Sequence, residues 1–311
     1  VIVSGLQDKD ALARLKTVRD VLRYAVSTFG AHQLSFGHGS NNPWDEAVYL
    51  ILSLLHLPLS DLDPYLDARL TRAEVQGALE VIARRATGVP AAYLTHEAWL
   101  GEYRFYVDER VIVPRSFIAE LLFEGLAPWV ANPSGVGRVL DLCTGSGCLA
   151  IIAAEVFPNA KVDAVDGSLD ALEVARINVD RYELKDRIKL IHSDLFDAVG
   201  ATRYDLILSN PPYVNSAAMA ALPPEYRHEP ALALAGGPDG LDVVARIMER
   251  APAHLARRIR NPGQLIVEIG HERAAFEARY PQFRGTWLST SAGDDMVFRA
   301  TRTELSGHDL S

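Results

Sequence analysis

The stretch Asp141-Leu-Cys-Thr-Gly-Ser-Gly147 lies between the short apolar run Val139-Leu140 and the segment Cys148-Leu-Ala-Ile-Ile-Ala153, which is apolar on every side. That is the order buried strand, glycine loop, buried helix. Gly145 and Gly147 let the backbone turn sharply and put no Cβ between the main chain and a ligand lying at the amino end of the helix. A small-molecule cradle is expected. Read as Gly145-x-Gly147-x-x-Ala150, the loop also satisfies the dinucleotide fingerprint, with Asp166 about 20 residues further on, where a ribose-binding acid belongs.

Asp141 separates the candidate ligands. Its carboxylate ends the strand and would be repelled by a pyrophosphate, but attracted by the ammonium and sulfonium groups of S-adenosylmethionine. The charge therefore favours S-adenosylmethionine over a nicotinamide cofactor.

After the cradle, strand and helix alternate. Strands are expected over 161–165, ending at Asp166, over 188–192, ending near Asp194, and over 204–208, ending at Asn210, with a helix over 169–179. Repeated βα units imply a Rossmann-like, doubly wound, mainly parallel sheet whose ligands bind at the carboxyl ends of the strands. Residues 264–269 supply a further strand, and 286–289 with 296–301 a closing hairpin; residues beyond 303 read as frayed.

Upstream, the pattern is helical. Apolar residues from Leu15 to Phe29 recur at helical spacing and predict one amphipathic helix over 10–29. Asn42-Pro43 opens a second helix running to about 55, and Thr71 with Glu74 forms a capping box for a third that closes near Gly88. From 92 to 114, β-rich residues broken at Gly101 predict a hairpin, followed by a helix near 116–126. The expected division is a helical domain over 1–90, a hairpin linker over 91–114 and a cofactor-binding domain over 115–311. The helical part suits either recognition of a macromolecular substrate or a lid over the pocket. The polar loop Gly37-His38-Gly39-Ser40-Asn41-Asn42 either touches a partner or only joins two helices.

Composition narrows the partners. A chain of 311 residues, 49% hydrophobic, has enough apolar material for two cores, and its formal charge of -9 argues against holding nucleic acid by bulk electrostatics. No run reaches the roughly 18 apolar residues of a membrane span, and no secretory start is readable. Cys143 and Cys148, both inside the cradle motif, suit a reducing compartment, so a cytoplasmic location is expected. The nine histidines lack metal-binding spacing.

The acids and the loop after the fourth strand carry the chemistry. An ionised Asp166 suits two ribose hydroxyls, because it offers only acceptors; the helix that follows has its own cap in Ser168. Asp194 suits the adenine amine, with Leu195 against the base, or else a plain strand-end turn. In Asn210-Pro211-Pro212-Tyr213 neither proline has an N–H, so the loop presents the Asn210 side-chain oxygen and the Pro211 carbonyl. Those acceptors match the two hydrogens of a planar NH2 group, against whose face Tyr213 can lie. Glu229, in the Pro-rich connection 229–240 before a helix expected over 241–259, either orients a ligand or forms an ion pair, and Arg115 either reaches the site or is exposed.

Taken in order, Asp-x-x-Thr-Gly-Ser-Gly at 141–147, Asp166 with Ser168, Asp194, Asn-Pro-Pro-Tyr at 210–213, Glu-Pro at 229–230 and Gly-Gly-x-Asp-Gly at 236–240 closely resemble the HemK-like protein-glutamine methyltransferases. The resemblance implies a seven-stranded class I methyltransferase sheet, an amino-terminal helical domain joined by a β-hairpin, and transfer of methyl from S-adenosylmethionine to a glutamine amide nitrogen. It further implies that Asn210 and Pro211 grip the glutamine amide and that Tyr213 lines its slot; Pro212 and Glu229 are expected beside the substrate. Asp141, Thr144, Gly145, Gly147, Asp166, Asp194, Leu195 and Asn210 would then hold the cofactor. The segments 37–47 and 113–116 resemble the branch that modifies protein three of the large ribosomal subunit. The release-factor branch usually has Pro-Arg-Pro-Glu-Thr where this chain has Pro114-Arg-Ser-Phe-Ile118. The alternatives are a peptide release factor as substrate, an adenine methyltransferase of nucleic acid, or a non-catalytic ribosome-assembly factor.

Overall fold

The computed structural model describes residues 5–37, 39–258 and 261–306. Its chain divides into two compact units, Val1–Ala98 with Pro223–His228, and Trp99–Leu222 with Glu229–Ser311.

The first unit is built from α1 (Gly5–Arg14), α2 (Val18–Ala31), α3 (Pro43–Leu54), α4 (Arg72–Ala86) and the short α5 (Ala91–Thr95). The single helix expected over 10–29 is two. Thr17 and Asp20 close a capping box, the Asp20 N–H donating to Thr17 Oγ1 at 3.2 Å and the Thr17 N–H to Asp20 Oδ2 at 3.0 Å, and this restarts the chain as α2. The spacing of apolar residues survives the break, so periodicity alone does not reveal it. Asn42 and Thr71 cap α3 and α4 as read from sequence. The stripe Val18, Val21, Leu22, Ala25 and Phe29 packs on Leu50, Ile51, Val75 and Ile82. Beneath that core lies a charged group: Arg85 donates to Glu46 at 2.6 Å, to Glu225 at 3.4 Å and to the Ser35 carbonyl at 2.8 Å, while the Ser35 N–H donates to Glu225 at 2.7 Å. Arg85, Glu46 and Glu225 are all buried, so segment 223–228 is part of this unit's interior. His38, in the polar loop singled out above, lies outside the described residues.

Next come β1 (Ala98–Leu100) and β2 (Tyr103–Phe105), a two-stranded sheet shorter than the hairpin expected over 92–114. Tyr93 lies in α5, and Val111 to Val113 join no ladder. The Val111 N–H goes to the Asp108 carbonyl and the Val113 N–H to Glu229, which removes both amides from strand pairing.

The second unit follows with α6 (Phe117–Phe123), β3 (Arg138–Leu142), α7 (Cys148–Val156), β4 (Lys161–Asp166), α8 (Leu169–Arg181), β5 (Ile188–His192), β6 (Leu206–Ser209), α9 (Ser216–Ala221), α10 (Asp242–His254), β7 (Gln264–Glu268), α11 (Arg273–Arg279), β8 (Thr286–Thr290), β9 (Gly293–Thr301) and α12 (Arg302–Ser306). Seven strands pair in the order β5-β4-β3-β6-β7-β9-β8. All pairs from β5 to β7 are parallel, while β9 runs antiparallel to both its neighbours. This is the class I methyltransferase sheet. Helices cover both faces because the central strands are buried on both, as β3, β6 and β7 show. Chain order moves outward from β3 to β5 and then returns to the other side of β3 with β6. The carboxyl ends of β3 and β6 therefore flank the switch point where such sheets bind ligands.

Three sequence expectations shift here. Tyr204 forms only an isolated bridge to Leu255, so β6 begins at Leu206. The helix expected over 241–259 stops at His254, two residues beyond Pro252, and Ile259 lies outside the described residues. Of the residues expected to be frayed beyond 303, 304–306 are helical and 307–311 lie outside the described residues: the Thr301 N–H and hydroxyl donate to Glu304 at 2.6 and 2.7 Å, and Leu305 is buried. Among the described residues, no helix is long and apolar enough to cross a membrane, and no group of acids, histidines and cysteines is arranged for a metal.

Candidate active site

At the end of β3 the Asp141 carboxylate is fully buried. The Thr144 hydroxyl donates to its Oδ2 at 2.5 Å, and among the described residues no group meets hydrogen-bond geometry with its Oδ1. Burial pushes this carboxyl up to about 7; the Thr144 bond opposes the shift and the nearby Asp166 charge adds to it. The turn that follows keeps Cys143, Gly145 and Gly147 at φ of 60, 54 and 80°. The two glycines have different reasons. A Cβ on Gly145 would meet nothing within 4 Å, so open space lies beside it, whereas one on Gly147 would lie 3.3 Å from Ala175 Cβ on α8. Only the first leaves room for a ligand; the second lets two helices approach.

Asp166 ends β4 and is bound to the loop itself. It accepts from the Gly145 N–H and the Ser168 N–H, each at 2.9 Å. Burial raises its pKa and these amides counter it. Ser168 caps α8 with its hydroxyl oxygen, as its position suggested. Asp194, after β5, accepts from Arg246 of α10 at 2.7 Å and is largely exposed; Leu195 beside it is buried at φ 48°.

These strand ends open onto one cavity of about 230 Å³. Of the residues expected from sequence, Gly145, Asp166, Asp194, Leu195, Asn210 and Pro212 line it; Asp141, Thr144, Gly147, Pro211, Tyr213 and Glu229 do not. A second cavity of about 30 Å³ shares Cys143, Gly145 and Asn210 with the first and adds Thr144 and Arg115. Asn210 thus borders both. Its place is set from β6, where the buried Ser209 hydroxyl donates to the Leu142 carbonyl at 2.9 Å and ties the end of β6 to the end of β3.

Glu229 is engaged within the protein. Its two oxygens each accept from Arg115 at 2.6 Å, and one also accepts from the Val113 N–H at 3.0 Å. Paired acceptance from a guanidinium fork is the strong form of this interaction. Tyr213 donates its hydroxyl to Glu268 at 3.1 Å. Glu268 was not found from sequence, nor were Arg110 and Arg246, which also line the larger cavity. For Glu268 a signal existed: it is the single acid in Gln264-Leu-Ile-Val-Glu268, a strand buried along its whole length. Cys148 is buried and Cys143 is half-buried at the cavity wall; burial pushes both thiols up, Cys148 to about 12. Neither has thiolate character at neutral pH.

Residues 119–223 match the family described as methyltransferase small domain. The chain is 59% identical over 298 residues to the ribosomal protein uL3 glutamine methyltransferase of Burkholderia pseudomallei, covering 93% of this chain and 96% of that one. It is 58% identical over 293 residues to the protein of that name from Bordetella pertussis, covering 94% and 97%, and 58% over 301 residues to the one from Neisseria gonorrhoeae, covering 96% and 99%. With that identity along nearly the full length of each relative, on a class I methyltransferase sheet, the chain belongs to the family of ribosomal protein uL3 glutamine methyltransferases.

Proposed function

We infer that this protein methylates the side-chain amide nitrogen of a glutamine in ribosomal protein uL3, using S-adenosylmethionine. The observation that carries the chemistry is that Asn210 borders the same cavity as Gly145 and Asp166. The cavity fits such a cofactor: open space lies beside Gly145, and an unpartnered carboxylate oxygen of Asp141 is buried close by, suited to a cationic group. Gly145, Asp166, Asp194 and Leu195 would hold it, with Asp141 and Thr144 behind the loop. When bound, it supplies a methyl group activated by positive sulfur.

The residues of this chain then orient a poor nucleophile. An amide lone pair is delocalised into its carbonyl, so alignment contributes much of the rate. Asn210 Oδ1 and the Pro211 carbonyl accept the two amide hydrogens and favour positive charge as it develops on nitrogen. The proton leaves to solvent, which removes the need for a strong base. Tyr213 supports the loop, and the helical unit serves recognition of the substrate protein. With a ribosomal protein as its substrate, the protein would act in the cytoplasm.

The test is incubation of the purified protein with labelled S-adenosylmethionine and, separately, uL3, a peptide release factor and nucleic acid, followed by mass spectrometry. Label on a uL3 glutamine is expected. Label in the release factor or in a nuclease-sensitive fraction overturns the substrate, and cofactor binding without transfer to any of them overturns the enzyme.

A further inference from the structure

We propose that Glu268 is a positioning residue for methyl transfer: by holding the Tyr213 hydroxyl it fixes the Asn210–Tyr213 turn at the edge of the cavity. The proposal rests on the function inferred above.

Glu268 ends β7 with no exposed surface. Its carboxylate accepts from the Ser116 hydroxyl at 2.7 Å, the Phe117 N–H at 2.9 Å and the Tyr213 hydroxyl at 3.1 Å. A buried carboxylate is costly, and burial raises its pKa. Two of those bonds are explained by the start of α6. That helix, however, already has a cap, because Ser116 Oγ accepts from the Ile118 N–H. The bond to Tyr213 is what helix capping leaves over.

Tyr213 is enclosed by glycines. A Cβ on Gly270 would lie 2.5 Å from its ring, and one on Gly236 would lie 2.7 Å from its Cα; one on Gly240 would collide with its carbonyl. Glu268 and Gly270, two residues apart, therefore act together, one taking the hydroxyl and the other leaving room for the ring. Just beyond, the Val214 N–H donates to the Leu234 carbonyl and the Gly236 N–H to the Val214 carbonyl, both at 2.9 Å. Just before, Ser209 is fastened to Leu142. Asn210, Pro211 and Pro212 thus span two anchors, and both acceptors for the substrate amide lie in that span. The Tyr213 anchor depends on a side chain outside its own loop.

The experiment is a cycle of Tyr213→Phe, Glu268→Gln and the double variant. Each is assayed for kcat and KM with uL3, for cofactor affinity by calorimetry, and for hydrogen exchange at Val214 and Gly236 in the protein alone. Tyr213→Phe is expected to lower kcat about tenfold, as leaving a buried hydrogen-bonding group without its partner does. Glu268→Gln keeps a weaker partner and should lower kcat about threefold. In the double variant the glutamine should add nothing further, cofactor affinity should stay unchanged, and the two amides should exchange faster in every variant. A role confined to capping α6 would instead give independent, additive losses, or a lower melting temperature with kcat intact, and either overturns the proposal. The exchange measurement needs no substrate: unchanged protection at Val214 and Gly236 overturns it as well. If the parent enzyme fails to methylate uL3 while those amides loosen, the substrate assignment has failed and the positioning has not.

Discussion

Replacing Asp141 with Asn should make the protein's stability less dependent on pH, with a sign fixed by burial. In the folded state this carboxyl keeps its proton up to about 7, against an ordinary 3.8. Below the ordinary value both states are protonated and the buried group is neutral. As pH rises toward the folded value, the unfolded chain releases the proton and the folded one does not, so stability is lost through that window. The gap corresponds to about 4 kcal/mol once the carboxyl is ionised in both states. Asn titrates nowhere in this range, and its oxygen still accepts from Thr144. Its unsatisfied NH2 adds a cost that does not vary with pH. The quantity to measure is therefore the difference between parent and variant in urea unfolding without cofactor, from about pH 4 to about pH 8. It should move in the variant's favour by up to about 4 kcal/mol across the interval. Other buried acids such as Glu46 and Glu268 cancel in the difference. A difference that stays flat over this range would refute the reasoning, because a fully buried carboxylate with one bare oxygen cannot titrate like a solvated one.

Three further substitutions probe separate parts. Asn210→Ala should lower kcat by about 10²-fold or more while cofactor affinity by calorimetry persists; loss of affinity with residual turnover would move Asn210 out of the substrate grip. Asp166→Ala should weaken the cofactor by about 1.5–3 kcal/mol, and because the Gly145 and Ser168 amides lose their acceptor, those amides should also exchange faster. Unaltered affinity would leave Asp166 as a loop brace only. Arg85→Ala strands two buried carboxylates and should cost about 3–5 kcal/mol in denaturant unfolding; a change under about 1 kcal/mol would refute the reading of Arg85 as the partner that holds Glu46 and Glu225.

Much of the fold was legible because its signals are local. Asn42-Pro43 and Thr71 with Glu74 announce their helices through side-chain chemistry, and runs of buried apolar residues between short loops announce the parallel strands. The break at Thr17 hid behind an apolar rhythm that two packed helices share. Residues 111–113 read as strand because they are β-branched, whereas their amides are taken by a turn and by the distant Glu229. The acids at strand ends were visible because chain order alone places them at one edge of the sheet. What they bond to was not: Asp166 to Gly145, Asp194 to Arg246 and Tyr213 to Glu268 join positions far apart in sequence. The packing role of Gly147 was hidden for the same reason, since the Ala175 that it makes room for lies on another helix.

The first unit is not an uninterrupted piece of chain, and that matters for anyone exchanging modules between relatives. Transplanting only residues 1–98 would carry Arg85 and Ser35 but leave behind Glu225, their shared acceptor. A working swap has to move 223–228 as well, so the helical module is inherited in two instalments, the later one spliced into a loop of the sheet that performs the reaction.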